Sequence, residues 1–166
     1  MDEVCARMLG TRDPAEIRKA IDLYRESYWG GEMEKAFLYK GVPETLEALS
    51  KGGKKMYLAT HKLESMAGTV LDKFGIRKHF LGIYGFNDQG PQSKALYLER
   101  GLKAHGINPA SAVMIGDREQ DIEAARICGT ASIAVTYGYG SREELEKAGA
   151  EFFCEEPKGL VPCLLP

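Results

Sequence analysis

The stretch AVMIGDREQDIEAARICG (112–129) passes from a short apolar run into an amphipathic pattern. Such a run, followed by apolar residues at helical spacing, is typical of a buried parallel strand and the crossover helix after it. The same alternation recurs through the chain from about residue 55 and indicates an α/β fold. It predicts strands at 55–60, 80–84, 112–116, 131–136 and 152–154, with helices near 62–74, 92–105, 118–128 and 141–148.

The residues before this region lack the alternation and are predicted to be helical. Asp13, followed by proline and then by Glu16, is typical of a helix start, with the aspartate as the cap and the glutamate reaching back as in a capping box. We therefore expect a helix over 14–28. A boundary near residue 40 then divides a helical unit, 1–40, from an α/β unit, 41–166.

Two carboxylates follow the strand at 112–116. In open parallel sheets the active site lies beyond the carboxyl ends of the strands, where Asp117 is expected, with Asp121 one helical turn further on. Mg²⁺ is typically held by one or two carboxylates, waters and phosphate oxygens, so this spacing suits a hard-cation site. The alternative is that Asp117 caps the helix while Asp121 is a solvated surface residue.

Polar residues also follow the predicted strand at 55–60 and open a later helix. Thr60 supplies a hydroxyl before a predicted helix start, whose free N–H groups favour an anion. Taken alone, Thr60 is more typical of an ordinary helix cap. His61 and Lys62 are expected to line a substrate pocket, with a surface role as the alternative. Lys94 opens a helix against the helix dipole and therefore calls for a nearby anion.

Composition excludes several classes of protein. The 166 residues carry 22 basic and 24 acidic side chains, and this net charge of −2 argues against a nucleic-acid partner. We find no apolar segment that predicts a membrane span or signal peptide, and no phosphate-loop, dinucleotide or GxSxG motif. Four widely spaced cysteines without a CxxC pair favour reduced thiols and a cytoplasmic location.

Taken in order, these motifs resemble the haloacid dehalogenase superfamily, and most closely its phosphoglycolate phosphatase-like branch. The resemblance implies a Rossmann-like parallel sheet with helices on both faces, plus a partial helical cap at the N-terminus. It also implies Mg²⁺-dependent hydrolysis of a small phosphorylated metabolite. The matching stretches are YKGVPETLEALSKGGKKMYLATHK (39–62), SKALYLERGL (93–102), AVMIGDREQDIEAARICG (112–129) and IAVTYGYGSREELEKAGAEFF (133–153).

The resemblance assigns a role to each matching polar residue. Thr60 would hydrogen-bond the transferring phosphoryl group and Lys94 would neutralise charge around it. Asp117 would be a Mg²⁺ ligand, and Asp121 would support the metal directly or through water. Each role is electrostatic and positional, as phosphoryl transfer requires.

The sequence departs from the family in one respect. Members of the family carry an Asp-x-Asp motif on a central first strand, whose first aspartate is the nucleophile, and no Asp-x-Asp occurs in these 166 residues. The strands at 55–60 and 112–116 would flank that strand, and unpaired buried backbone groups cost roughly 1 to 3 kcal/mol each. Three arrangements would avoid this cost. The native protein is longer than these 166 residues, another chain donates a strand, or the two flanking strands pair directly with each other.

Two functions follow as expectations. In the first, the chain is a phosphatase that is inactive by itself because the nucleophile segment is absent. In the second, it is a non-catalytic phosphatase-like module that binds a phosphorylated metabolite or a partner. Unpaired strand edges recruit other chains, so a homodimer through the open sheet is a further expectation.

Overall fold

A computed structural model describes residues 2–31, 35–87 and 92–165 of the chain. The backbone separates into two compact units, Met1–Phe37 and Leu38–Pro166. Among the described residues, no helix is long and apolar enough to cross a membrane.

The first unit consists of helices α1 (Asp2–Leu9) and α2 (Pro14–Trp29). Asp13 caps α2 as predicted, because its carboxylate accepts the Ala15 N–H at 2.9 Å. The predicted capping box is wrong in its second half, since the Asp13 N–H donates to the Thr11 hydroxyl at 3.1 Å rather than to Glu16. Helix α1 was not predicted from the sequence.

The second unit alternates strands and helices, as the sequence predicts. It contains strands β1 (Met56–Leu63), β2 (Phe80–Phe86), β3 (Val113–Gly116), β4 (Ala131–Val135) and β5 (Phe153–Cys154). Its helices are α3 (Val42–Lys51), α4 (Glu64–Lys73), α5 (Lys94–Ala104), α6 (Glu119–Cys128), α7 (Arg142–Lys147) and α8 (Leu160–Leu164).

The strands form two parallel sheets. Strand β1 pairs with β2, and β3 pairs with β4, which in turn pairs with β5. Within the described residues β1 and β3 are not hydrogen-bonded to each other, so the expectation that these flanking strands close up and pair directly is wrong. The parallel α/β fold class is confirmed.

Strand β4 lies at the centre of the core around the larger sheet. Ala134 is fully buried against Ile122 of α6 and Leu145 of α7, while Ile133 and Val135 pack in a second cluster. Apolar residues on both sides of this strand are what a parallel strand covered on both faces requires. The packing fixes the starts of α6 and α7 beside the ends of β3 and β4.

One element boundary near the predicted site differs from the sequence prediction. Strand β1 continues through Thr60 to Leu63, and helix α4 begins at Glu64. Thr60 is therefore neither a helix cap nor part of a helix N-terminus, and both of these sequence interpretations are wrong. The short helix α8 was also not predicted.

Candidate active site

The start of α5 is tied to the start of α6 by an ion pair. Lys94 Nζ lies 2.9 Å from Asp121 Oδ1, and the two side chains are 15% and 5% exposed. The same ammonium donates to the Ala59 carbonyl of β1 at 3.2 Å. Lys94 therefore has the nearby anion that its place at a helix start called for, and it joins Ala59 in the middle of β1 to α6.

Asp121 organises the turn between β3 and α6. Its Oδ2 accepts the backbone N–H groups of Asp117 and Arg118, each at 3.1 Å. A carboxylate that takes two N–H groups at the start of a helix also complements the helix dipole. Asp121 is 4% exposed, so the alternative that it is a solvated surface residue is wrong.

Asp117 stands at the tip of β3, half-buried, and is held from the neighbouring loop. The Tyr139 N–H donates to Asp117 Oδ2 at 2.7 Å. The loop can approach this closely because two of its residues are glycines and have no Cβ atom. A Cβ atom at Gly138 would overlap the Asp117 carboxylate, and one at Gly140 would overlap the Asp117 backbone carbonyl. The loop after β4 therefore contacts Asp117 directly.

Thr60, His61 and Lys62 form a bulge in β1. The Thr60 hydroxyl accepts the Lys62 N–H at 3.1 Å and keeps its own O–H as a donor. The bulge follows Ala59, whose carbonyl binds Lys94. The structure therefore places Thr60 directly after the point where Lys94 touches β1, while Lys62 is exposed on the same bulge.

His61 is held against a buried aromatic ring. It lies edge-to-face on Tyr97, with 5.6 Å between the ring centroids, and its outer side is exposed. Partial burial lowers the pKa of His61 below its ordinary value, and the charge of Lys94 lowers it further while Asp121 opposes the change. The lowered pKa favours the neutral form of the imidazole.

The lowered pKa of His61 makes stability depend on pH in a defined direction. Below about pH 6.5 the unfolded chain binds a proton that the folded imidazole resists, so the free energy of unfolding falls as the pH drops through this window. We expect His61→Gln to lose less stability than wild type between pH 7.5 and 5.5 in urea titrations. We expect the difference between the two proteins to be small because the imidazole ring is partly in contact with water. Equal losses in the two proteins would contradict the assignment.

The two aspartates fit a hard cation. Asp121 Oδ1 is buried, and the Lys94 ammonium at 2.9 Å is its polar neighbour within the described residues. Within the described ranges, no group of three or more His, Cys, Asp or Glu stands together, so the described part of the site offers two carboxylates, Asp117 and Asp121. That number suffices for Mg²⁺, which keeps several waters and takes phosphate oxygens.

Sequence reasoning missed three contributors to this arrangement. Gly138 and Gly140 cradle Asp117, and the Gly-x-Gly pair after β4 was the available signal. The Ala59 carbonyl also escaped notice, because a backbone acceptor leaves no mark in the sequence. Of the predicted residues, Lys94 and Asp121 are in direct contact, and Asp121 binds the backbone of Asp117. Thr60, His61 and Lys62 lie together on the β1 bulge.

Comparison with known proteins finds similarity to a family of hydrolases and to several phosphatases. The family model for haloacid dehalogenase-like hydrolases matches residues 3–135. A 5'-nucleotidase from Pseudomonas aeruginosa is 32% identical over 149 residues, covering 89% of this chain and 67% of the relative. A phosphoglycolate phosphatase from Vibrio vulnificus is 31% identical over 153 residues, covering 90% and 67%.

Solved structures give the same result. The crystal structure of a predicted phosphatase from Clostridium acetobutylicum superposes with a TM-score of 0.91 at 29% identity, over 98% of this chain and 76% of that one. The chain spans between 54 and 67% of the length of the curated relatives it matches.

Proposed function

This chain belongs to the haloacid dehalogenase-like hydrolases, and we propose that it is the phosphate-binding core of a Mg²⁺-dependent hydrolase of small phosphate monoesters. The observation that carries the proposal is the buried Lys94–Asp121 pair beside Asp117 at the carboxyl ends of the strands. A charge pair buried at this point needs a reason, because burying ions costs several kcal/mol each. A phosphorylated ligand and its cation supply that reason.

Each residue then has a defined task. Lys94 faces the phosphoryl oxygens and offsets the charge that develops on them, and the Thr60 hydroxyl donates to one of them. Asp117 and Asp121 would hold Mg²⁺, which when bound withdraws charge from the phosphoryl oxygens. Tyr139 and the glycines beside it keep the Asp117 carboxylate in place.

The attacking group comes from outside these residues in this proposal. The sequence has no Asp-x-Asp motif, and within the described chain β1 pairs only with β2 and β3 only with β4. We propose that another segment or another chain pairs with the other edges of β1 and β3 and supplies the nucleophile, while a second copy of this chain could pair with those edges but brings no Asp-x-Asp motif. The free thiols of all four cysteines support a cytoplasmic setting for such an enzyme.

The missing motif also favours a second candidate function. A chain that binds a phosphate ester without an attacking group acts as a binding module. Both candidates predict that the 166-residue chain binds phosphate, and they differ in whether an additional segment restores hydrolysis.

Calorimetric titration with inorganic phosphate, with and without Mg²⁺, tests the shared claim. We expect saturable binding that strengthens when Mg²⁺ is present, because the cation joins the aspartates to the phosphate oxygens. Heats no larger than those of dilution under both conditions would contradict both candidates.

The glycine cradle provides a further prediction. A methyl group in Gly138→Ala overlaps the Asp117 carboxylate, so we expect Mg²⁺-dependent phosphate binding to weaken by about tenfold. Gly68→Ala is the matched control, since a Cβ there meets only Ile83 Cδ1 at 3.8 Å. Calorimetry on both variants checks the result, and equal affinities would show that the loop does not position Asp117.

A further inference from the structure

The pairing of β1 with β2 is interrupted at the proposed phosphate site. Ala59 pairs with Tyr84 and Leu63 pairs with Phe86, so residues 60–62 of β1 stand opposite a single residue, Gly85, on β2. Bulges of this kind turn side chains away from the regular ladder and are frequent beside active sites. The bulge is the segment that carries Thr60 and its two neighbours.

Two side chains hold Gly85 where the ladder is broken. The Gly85 N–H donates to Glu64 Oε1 at 3.0 Å, and Arg100 Nη1 donates to the Gly85 carbonyl at 3.0 Å. Arg100 Nη2 also lies 2.7 Å from Glu64 Oε1. The Arg100 side chain is 38% exposed and the Glu64 side chain 32%, so this ion pair is only partly shielded from water. Its geometry nevertheless provides a partner for both backbone polar groups of Gly85.

The bulge rests directly on Gly85. A Cβ atom at Gly85 would come within 2.5 Å of the Lys62 carbonyl oxygen and 2.9 Å of the Thr60 carbonyl oxygen. Displacement of Gly85 toward the bulge would therefore push against these two carbonyl groups. Glu64 is the first residue of α4, and Arg100 lies on α5, the helix that begins with Lys94.

We propose that Glu64 and Arg100 are positioning residues that hold the Thr60 bulge at a fixed distance from Lys94. This inference rests on the proposed function, because the proposed phosphate ligand is what Thr60 and Lys94 would bind together. Arg100 joins the strand ends to α5 while Lys94 joins α5 to Ala59 and α6. Two polar links from one helix thus fix both sides of the phosphate site.

The experiment compares Arg100→Ala, Arg100→Lys, Glu64→Ala and Glu64→Gln with wild type, below the unfolding transition of each. Inorganic phosphate with Mg²⁺ is the calorimetric probe. We expect the alanine variants to bind it about tenfold more weakly. Glu64→Gln keeps an oxygen for the Gly85 N–H and recovers most of the affinity, whereas Arg100→Lys lacks the two-pronged donor and recovers less.

Amide hydrogen exchange separates positioning from a general loss of stability. The Gly85 and Lys62 amides should exchange faster in Arg100→Ala, while Ala134 in the core exchanges as in wild type. Lys103→Ala is the control, because this lysine lies on the same helix in an exposed pair with Glu99 at 2.8 Å. It should match wild type in both measurements.

Three results would overturn the inference. Phosphate affinity of Arg100→Ala equal to that of Lys103→Ala would show that the pair does not position the site. Faster exchange at Ala134 together with Gly85 would assign it a merely structural role. Absence of phosphate binding by wild type would remove the proposed function and the inference with it, and this outcome is distinct from the other two.

Discussion

Asp121→Ala should lower the free energy of unfolding by about 3 kcal/mol and abolish phosphate binding. The substitution leaves the Lys94 ammonium, 15% exposed, without its carboxylate. It also removes the acceptor for the Asp117 and Arg118 N–H groups, so the turn that presents Asp117 loses its anchor. Urea unfolding at pH 7.5 measures the first effect, and phosphate calorimetry measures the second.

Glu143→Ala is the matched control for this prediction. Glu143 also pairs with a lysine, Lys147, at 2.8 Å, but the two side chains are 77% and 75% exposed. Exposed pairs contribute little, so we expect a loss below about 0.5 kcal/mol. Equal losses in the two variants would mean that the Lys94–Asp121 pair is not the structural centre of the site.

A double variant refines the same prediction. Lys94→Ala with Asp121→Ala removes both buried charges, so it should be less destabilised than the sum of the single variants. Additive losses would show that the two residues act independently.

Asp117→Asn should weaken Mg²⁺-dependent phosphate binding by about a hundredfold while leaving the fold intact. The amide oxygen can still accept the Tyr139 N–H, so the loop stays in place. The substitution removes the negative charge that a hard cation requires. Calorimetry with phosphate, at fixed Mg²⁺ concentration, measures the change.

Glu119→Gln controls for the loss of charge near the site. This exposed residue lies two positions after Asp117, at the start of α6, and takes no part in the proposed binding. Its affinity for phosphate should stay within about twofold of wild type because exposed charges are screened. An equal loss of phosphate affinity in Glu119→Gln and Asp117→Asn would show that the effect comes from the overall electrostatic field and not from Asp117 as a metal ligand.

The sequence was sufficient to predict that Asp117 and Asp121 lie together after a strand and that an anion lies near Lys94. Short apolar runs followed by amphipathic stretches indicated parallel strands, and the carboxyl ends of such strands meet at one edge. The contact of Lys94 with an anion could be anticipated because a lysine at a helix start opposes the dipole. These inferences need only local patterns and one rule of sheet topology.

The bulge at Thr60 could not be predicted in the same way. The residues of 60–62 suit either the end of a strand or the start of a helix, and the choice depends on Gly85 across the sheet. Glu64 and Arg100 are 36 positions apart, and neither stands in a recognised motif. Contacts of this range are set by packing, which is also why the short helix α8 was missed.

The central claim is that this chain contains the phosphate-binding part of a phosphatase site without its nucleophile. Phosphorus NMR of p-nitrophenyl phosphate with the 166-residue chain and Mg²⁺ tests it in one sample. We predict that the ester resonance broadens or shifts on binding while no inorganic phosphate accumulates. An unchanged ester resonance, or Mg²⁺-dependent phosphate release that disappears in Asp117→Asn, would contradict the claim.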